Sequence, residues 1–386
     1  FTFTATPAAA AHPSYSYFGQ TVPAGTSANF GRFYPAGFIV GSGAVLANRG
    51  DLSCAPSSGF SYLGEPVNSS FNLYAVNTAG VTTTNYRGAF ARLSLLPVAA
   101  SAWGAASTGI VFGAKDNTST PTLLNPRVTV GCAGGVCGSW GSTAGAYGTA
   151  ALSAQLRVGR ASAMAENGPF NQAQFGFSAR DPDGVSILNP NYVMAAPPSA
   201  TAADGALLGN TVLRFGRMRV DNAYGSPVLA LPVPATAQFW NGTAFQQNVD
   251  DSCTQLVVPA SVAISTTTPA ALYCNGGLGL YGTLAGVSAS MNGVAAGSLS
   301  RLSAGRAGLV LSRPAGNGGG FLDLALSVPD YLKFNWDGAD QSLNQSVVPA
   351  SCTTPGDGDL FDDNPRARIR FGVKRNDKVI YTREVY

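Results

Sequence analysis

Near the end of the chain, apolar and polar residues alternate with period two. Ala367, Ile369, Phe371 and Val373 alternate with Arg368, Arg370 and Lys374. After Asn376-Asp377 the alternation resumes, with Val379, Tyr381 and Val385 set against Lys378, Thr382 and Glu384. Successive side chains of a strand point to opposite faces, so the pattern predicts two half-buried strands around a tight turn. Ile369, Phe371, Val373 and Tyr381 are expected on the core face of that hairpin. Further strands are predicted at Phe71-Asn-Leu-Tyr-Ala-Val76, Ala89-Phe-Ala-Arg-Leu-Ser-Leu95, Ala151-Leu-Ser-Ala-Gln-Leu-Arg-Val158 and Ala173-Gln-Phe-Gly-Phe-Ser178. Turn signals at Asn77-Thr-Ala-Gly80, Asp116-Asn117 and Asp181-Pro-Asp-Gly184 punctuate them. Phe1-Thr-Phe-Thr-Ala-Thr6 also alternates, then gives way to an Ala/Pro-rich run that ends at Pro13. It reads as a detached strand, and Phe1 and Phe3 are expected to be buried together against a sheet of this chain or of another copy.

Strands at this spacing, with no long Leu/Glu/Lys stretch, predict an all-β protein of two main antiparallel β-sandwich domains, Ig-like or jelly-roll-like. A Gly/Ala-rich region is expected to connect them. The organisation expected is an N-terminal strand and flexible segment over 1–28, a first sandwich over 29–130, a connector with additional strands over 131–206, and a C-terminal sandwich over 207–386. Within the connector, 131–149 is mostly Gly, Ala, Ser and Cys and reads as a structured loop or a linker. Ala195-Ala-Pro-Pro-Ser-Ala-Thr-Ala-Ala-Asp204 is the best boundary, being almost uncharged and rich in Pro and Ala.

Composition narrows the function classes. The 386 residues are 45% hydrophobic and only 11% charged, so the chain has neither the low hydrophobicity nor the high charge of disorder. A net charge of +3 gives no electrostatic case for nucleic acid. Lysines are few: only Lys115, Lys333, Lys374 and Lys378 among 23 cations, the rest being arginine. No apolar run is long enough to span a bilayer, and no signal peptide is present, so the chain reads as processed or as a piece of a longer precursor.

The six cysteines, Cys54, Cys132, Cys137, Cys253, Cys274 and Cys352, have no metal-site spacing. An even set in a Gly/Ser/Thr-rich β chain reads as disulfides made in an oxidising compartment, with no free thiol. Fifteen pairings exist for six cysteines, and only Cys132 with Cys137, closing a glycine-rich loop, is a local choice.

Catalytic constellations are scarce. The single histidine, His12, sits in the Ala/Pro-rich segment and is a linker residue rather than a catalytic base. Glu65, Glu166 and Glu384 are the only glutamates, and Glu65, in a Gly-Glu-Pro turn, is expected to be solvated. No phosphate loop or dinucleotide fingerprint occurs. Asp357, Asp359, Asp362 and Asp363 put several carboxylates in one loop, which could ligate calcium, although no bidentate glutamate follows and a solvated turn is the preferred reading. Trp103, Trp140, Trp240 and Trp336 are expected to pack, with Trp140, in its Gly/Ser-rich loop, the first candidate for exposure. The inventory points away from an enzyme.

Several blocks carry a family likeness. Gly31-Arg-Phe-Tyr-Pro35, Cys54, Phe60-Ser-Tyr-Leu-Gly-Glu-Pro66 and Thr84-Asn-Tyr-Arg-Gly88 are the first. Leu213-Arg-Phe-Gly-Arg-Met-Arg-Val-Asp-Asn-Ala-Tyr-Gly-Ser226, Gln238-Phe-Trp-Asn-Gly242, Asp250-Asp-Ser-Cys-Thr254 and Tyr331-Leu-Lys-Phe-Asn-Trp-Asp337 follow. In order, they resemble the large C-terminal module of MshQ-type MSHA pilus biogenesis proteins, over roughly residues 30–386. Residues 338–355, with Cys352, look like an insertion in that pattern. The resemblance implies an extracellular, bacterial cell-surface protein tied to type IV pili, a structural or adhesive component of a filament. Pilus or filament subunits, the chain itself among them, are the expected partners, with a surface glycan as a further one. Self-polymerisation by strand exchange and a carbohydrate-binding or polysaccharide-active role are the rival readings.

Overall fold

The computed structural model describes residues 3–5, 16–17, 20–21, 25–27, 34–50, 52, 54, 59–104, 106–118, 122–161, 166–194, 202–262, 272, 276–280, 284, 286–334, 336 and 364–372. The protein is all-β, and its named helical elements are three-residue 3-10 turns. Among the described residues two large hydrophobic cores form, one chiefly from residues 38–215 and the other chiefly from residues 218–371, to which Phe60 and Tyr62 also contribute. A small third cluster gathers Val111, Tyr192 and Met194.

The first core lies between two sheets. In one, Val67–Val76 pairs antiparallel with Thr149–Val158. Gly37–Val40 and Val45–Ala47 share the outer edge of Val67–Val76, and Val128–Gly131 and Gly138–Trp140 share the outer edge of Thr149–Val158. In the other, Gly109–Asp116, Phe170–Arg180 and Ala206–Arg214 run antiparallel in that order, and Phe60–Tyr62 joins the last of them in parallel. Period-two alternation sends Val67, Phe71, Leu73 and Ala75 inward, together with Ala150, Leu152, Ala154 and Leu156 from the neighbouring strand. Phe71, Phe112 and Phe177 meet edge to face at its centre, with centroids 4.9 to 6.3 Å apart. Residues 131–206, read from sequence as a connector, supply strands to both of these sheets.

Two local expectations are corrected. Residues 89–95 form no ladder: Leu93 and Leu95 do point inward, but a 3-10 turn at Gly88–Phe90 precedes them. Their backbone is held by side chains and a loop, with Leu93 N–H donating to the Tyr86 hydroxyl (2.8 Å) and Cys137 N–H donating to Leu95 O (3.0 Å). Near the N-terminus, Thr4–Ala5 pairs with Gly25–Thr26 of the same chain, yet Phe3 is 65% exposed rather than buried. A two-stranded ribbon has no second layer to cover an apolar side chain. Phe1 lies outside the described residues.

In the second body, Arg366–Phe371 pairs antiparallel with Gly320–Ala325 along one edge and parallel with Ala223–Gly225 along the other. Both hydrogen-bonding edges of 369–371 are therefore taken by strands distant in sequence. Val373, the turn at Asn376-Asp377 and Tyr381 lie outside the described residues. Ile369 and Phe371 are buried among Leu322, Leu324 and Leu278, while Arg368 faces out. Phe371→Ala is expected to destabilise the protein by about 3–5 kcal/mol. Arg370→Ala, on the outer face, should stay within about 0.5 kcal/mol of wild type. Equal denaturation midpoints for the two variants would show that this strand is not part of the core.

Candidate functional site: a buried arginine junction between the two bodies

Phe60–Tyr62 belongs by its backbone to the first body's sheet, but the rings of Phe60 and Tyr62 belong to the second core. This strand brings the two bodies together, and the polar residues around it converge. Arg49 sits beside it with its backbone in the left-handed region (φ 54°), and its N–H donates to the Ser61 hydroxyl at 2.9 Å. The Arg49 side chain is fully buried. Its Nε donates to Glu65 Oε1 (2.8 Å), Nη1 to Asp251 Oδ1 (2.5 Å) and Nη2 to Thr254 Oγ1 (2.5 Å).

Every acceptor in this cluster has further partners. Glu65 Oε2 accepts from Tyr62 N–H at 2.9 Å, which closes the tight turn after the strand. Asp251 Oδ2 accepts from the Tyr62 hydroxyl (3.0 Å) and the Thr254 hydroxyl (2.6 Å), and Oδ1 accepts from the N–H groups of Cys253 and Thr254. Asn248 Nδ2 donates to the Tyr62 hydroxyl at 2.6 Å, and Arg214 Nη1 donates to Asn248 Oδ1. Tyr331 stacks on Tyr62 at 5.6 Å, and Gly216 must lack a side chain because a Cβ there would sit 2.4 Å from the Tyr62 ring. Directly after Asp251, the Cys54–Cys253 disulfide joins the two bodies covalently across 199 residues of sequence.

Burial and charge act against each other here. Burial alone would lower the basicity of Arg49, but Glu65 and Asp251 reverse that and raise it, so the guanidinium stays charged. Burial alone would raise the Asp251 carboxyl, but Arg49 and the Thr254 bonds hold it below its ordinary value. Burial, and then the Asp251 charge, push the Tyr62 phenol well up. Arg49, Tyr62, Glu65, Asn248, Asp251 and Thr254 are all at most 1% exposed, so the cluster presents no surface to a substrate. Its chemistry is that of a lock: two stretches far apart in sequence, 49–65 and 248–254, are held by charge-assisted hydrogen bonds that leave no partner without a counterpart.

A second clamp lies alongside. Arg160, just past the end of Thr149–Val158, donates from Nη1 to Lys333 O (2.7 Å) and from Nη2 to Gly216 O (2.9 Å) and to Tyr331 O. Its guanidinium also lies 4.8 Å from the Phe215 ring centroid. Arg217, over Phe245 at 3.6 Å and hydrogen-bonded to Gln238, has its pKa lowered to about 10 by burial and by Arg219.

The residues singled out from sequence are distributed differently. Glu65, expected in a solvated turn, is the buried partner of Arg49, because its turn is capped by its own carboxylate. Trp140, expected as a candidate for exposure, is packed: its Nε1 donates to Leu93 O (3.1 Å) and its ring lies against Tyr86 at 4.8 Å. Cys132 and Cys137 form a disulfide that closes the loop between Val128–Gly131 and Gly138–Trp140. Cys54 pairs with Cys253, while Cys274 and Cys352 lie outside the described residues. So do Asp357, Asp359, Asp362 and Asp363. Among the described residues, no group of three or more His, Cys, Asp or Glu side chains is arranged to hold a metal, and no helix is long and apolar enough to cross a membrane. Sequence reading did not single out Arg49, Tyr62, Asn248, Asp251 or Thr254 as a site. The available signal was scarcity: Glu65 is a lone acid inside an apolar run in a chain only 11% charged.

Removing Arg49 leaves Glu65 and Asp251 buried without their counter-ion. Arg49→Met is expected to lose about 3–5 kcal/mol in denaturant titration. The folded Asp251 pKa lies below its unfolded value, so its contribution is complete above about pH 4 and is lost as pH falls through the lowered folded value. Asp251→Asn should therefore abolish that part of the acid-side loss of stability. A wild-type midpoint for Arg49→Met would show that the cluster holds nothing together.

Comparison with known proteins places the chain. Residues 1–206 match the model of the third domain of DUF6701, and residues 214–385 match that of its fourth domain. No curated protein matches. Among solved structures, the Yersinia pseudotuberculosis adhesin InvE aligns at 9% identity over 86% of this chain, with a TM-score of 0.23. The chain spans 59% of the length of that adhesin structure. The D0-D1 domain of Intimin aligns at 8% identity over 88% of this chain and 100% of its own, with a TM-score of 0.17. At such TM-scores the alignments fix neither architecture nor activity. With both halves matched by consecutive domains of one family, the chain belongs to the DUF6701 family.

Proposed function

We propose that this protein is an extracellular structural or adhesive component of a bacterial surface filament, of the type IV, MSHA-like kind, and that it is not an enzyme. The observation that carries the proposal is the junction. A disulfide from Cys54 to Cys253 sits beside a buried, fully paired ion cluster, so the two bodies are joined both covalently and electrostatically. Disulfides persist in oxidising compartments, which supports export. Tying two sandwiches together at this depth suits a part that transmits force rather than one that opens and closes around a substrate. The ordered blocks of MshQ-type resemblance supply the pilus association, and they include both Phe60–Pro66 and Asp250–Thr254, the two segments that Arg49 bridges.

The N-terminal ribbon favours a second reading. Thr4–Ala5 pairs with Gly25–Thr26, and the exposed Phe3 next to it is what a strand exchanged between copies would present. In that case the chain polymerises by itself.

Immunogold labelling of filaments sheared from cells, with negative-stain imaging of the purified protein, tests both readings. The first expects label on filaments that contain pilin, and their loss of adhesion when the gene is deleted. The second expects homopolymeric fibres from the purified protein alone. Label confined to the cytoplasm would overturn both, and sugar release from a polysaccharide would overturn the exclusion of enzyme activity.

A further inference from the structure

The outward face of the first body's Val67–Val76 sheet is unusual in its chemistry. Between Glu65 and Glu166 the sequence has a single acid, Asp116, and that residue is buried. The register sets Ser139, Ala151 and Asn72 in one row across three strands, extended by Gly41 just past the end of Gly37–Val40. Ser153, Ser70 and Val45 form the next, and Gly131, Gln155, Asn68 and Ala47 the one after. Ser70, Asn72, Ser139, Ala151, Ser153 and Gln155 are all exposed. None of these three rows carries a charged side chain, and Arg157, opposite Thr129, stands in the row beyond them. The outward side of the second body's Arg366–Phe371 carries three arginines in six residues, so the neutral face is a local property.

At the opposite end of the face lies Tyr74, half-buried, in a row with Ile39 and Thr149. A Cβ on Gly41 would meet the Tyr74 ring at 2.8 Å, so the ring lies down over the glycine along the sheet instead of standing off it. This is an aromatic platform flanked by amides and hydroxyls, each able to donate and accept. Strands about 4.8 Å apart make the rows a nearly continuous, two-way hydrogen-bonding surface.

We infer that this face binds a neutral polysaccharide, whose pyranose rings stack on Tyr74 while its hydroxyls meet Asn72, Ser70, Ser139, Ser153 and Gln155. Charge complementarity selects this occupant: an uncharged face rich in two-way hydrogen bonding matches a hydroxyl-rich, uncharged polymer and offers an anionic one little. A second sheet stacked here would gain little, because Val45 and Ala151 are the only exposed apolar side chains in the three rows. The inference deepens the adhesive reading by naming a ligand class and the surface that takes it.

The test is co-sedimentation of the full chain with cellulose and chitin, and affinity electrophoresis in laminarin, mannan, dextran, alginate and heparin. At least one neutral polymer should retain the protein, with little change between low and high salt. Tyr74→Ala and Ser153→Arg should each weaken that retention by about tenfold or more, the loss expected of a central contact residue. Ser153 is exposed, so its variant should melt as wild type does, and Tyr224→Ala, at an exposed tyrosine of the other body, should bind normally. Retention by no neutral polymer, retention by alginate or heparin alone, or retention unchanged in both variants would overturn the inference. So would a dimer that Ser153→Arg dissolves without any glycan binding, since the face would then be covered by a second copy. Filament labelling does not depend on this face, so failure here and failure of the filament proposal are separable.

Discussion

One fully buried guanidinium organises the contact between the two bodies. Arg49 is anchored on the first body, and two of its three side-chain bonds go to Asp251 and Thr254 of the second. Taking a charge out of water costs several kcal/mol unless it is paired and its remaining protons are satisfied. That penalty makes the junction specific: any arrangement in which the bodies slide past each other parts Arg49 from Asp251 and Thr254 and leaves the buried Asp251 carboxylate without its counter-ion. The left-handed backbone at Arg49 fits this picture, because such a conformation in a non-glycine residue persists only where its surroundings over-determine it.

The rest of the junction follows from that constraint. Tyr62 must deliver its hydroxyl to Asp251, so its ring needs room, and Gly216 and the stacked Tyr331 provide it. Arg160 repeats the device nearby, gathering the carbonyls of Gly216, Tyr331 and Lys333. A disulfide that closes 199 residues adds roughly 5 kcal/mol by the chain-entropy estimate, acting on the unfolded state rather than on the packing. Charge, stacking and covalent linkage thus act on the same boundary by different physics.

Much of the fold was legible because period-two alternation is a direct consequence of strand geometry. The strands at 71–76, 151–158 and 173–178, and the inward Ile369 and Phe371, were read that way. Residues 89–95 alternate as well as any of these, but their hydrogen bonds go to Tyr86 and to the disulfide loop, which no local pattern encodes. The junction was hidden for a similar reason. Glu65 in a Gly-Glu-Pro turn has the local signature of a solvated residue, and its partner Arg49 lies 16 residues away in sequence, while Asp251, which shares that arginine, lies 202 residues from it. Of the two disulfides among the described residues, the local one was legible, whereas Cys54–Cys253 depends on how the bodies dock.

If the buried junction makes the two bodies one cooperative unit, differential scanning calorimetry of the oxidised protein tests that claim most directly. The account predicts a single transition whose calorimetric and van't Hoff enthalpies agree, and its splitting into two in Arg49→Met after reduction. Two well-separated transitions in the oxidised wild-type protein would contradict it, because the bodies would then melt independently with the junction intact.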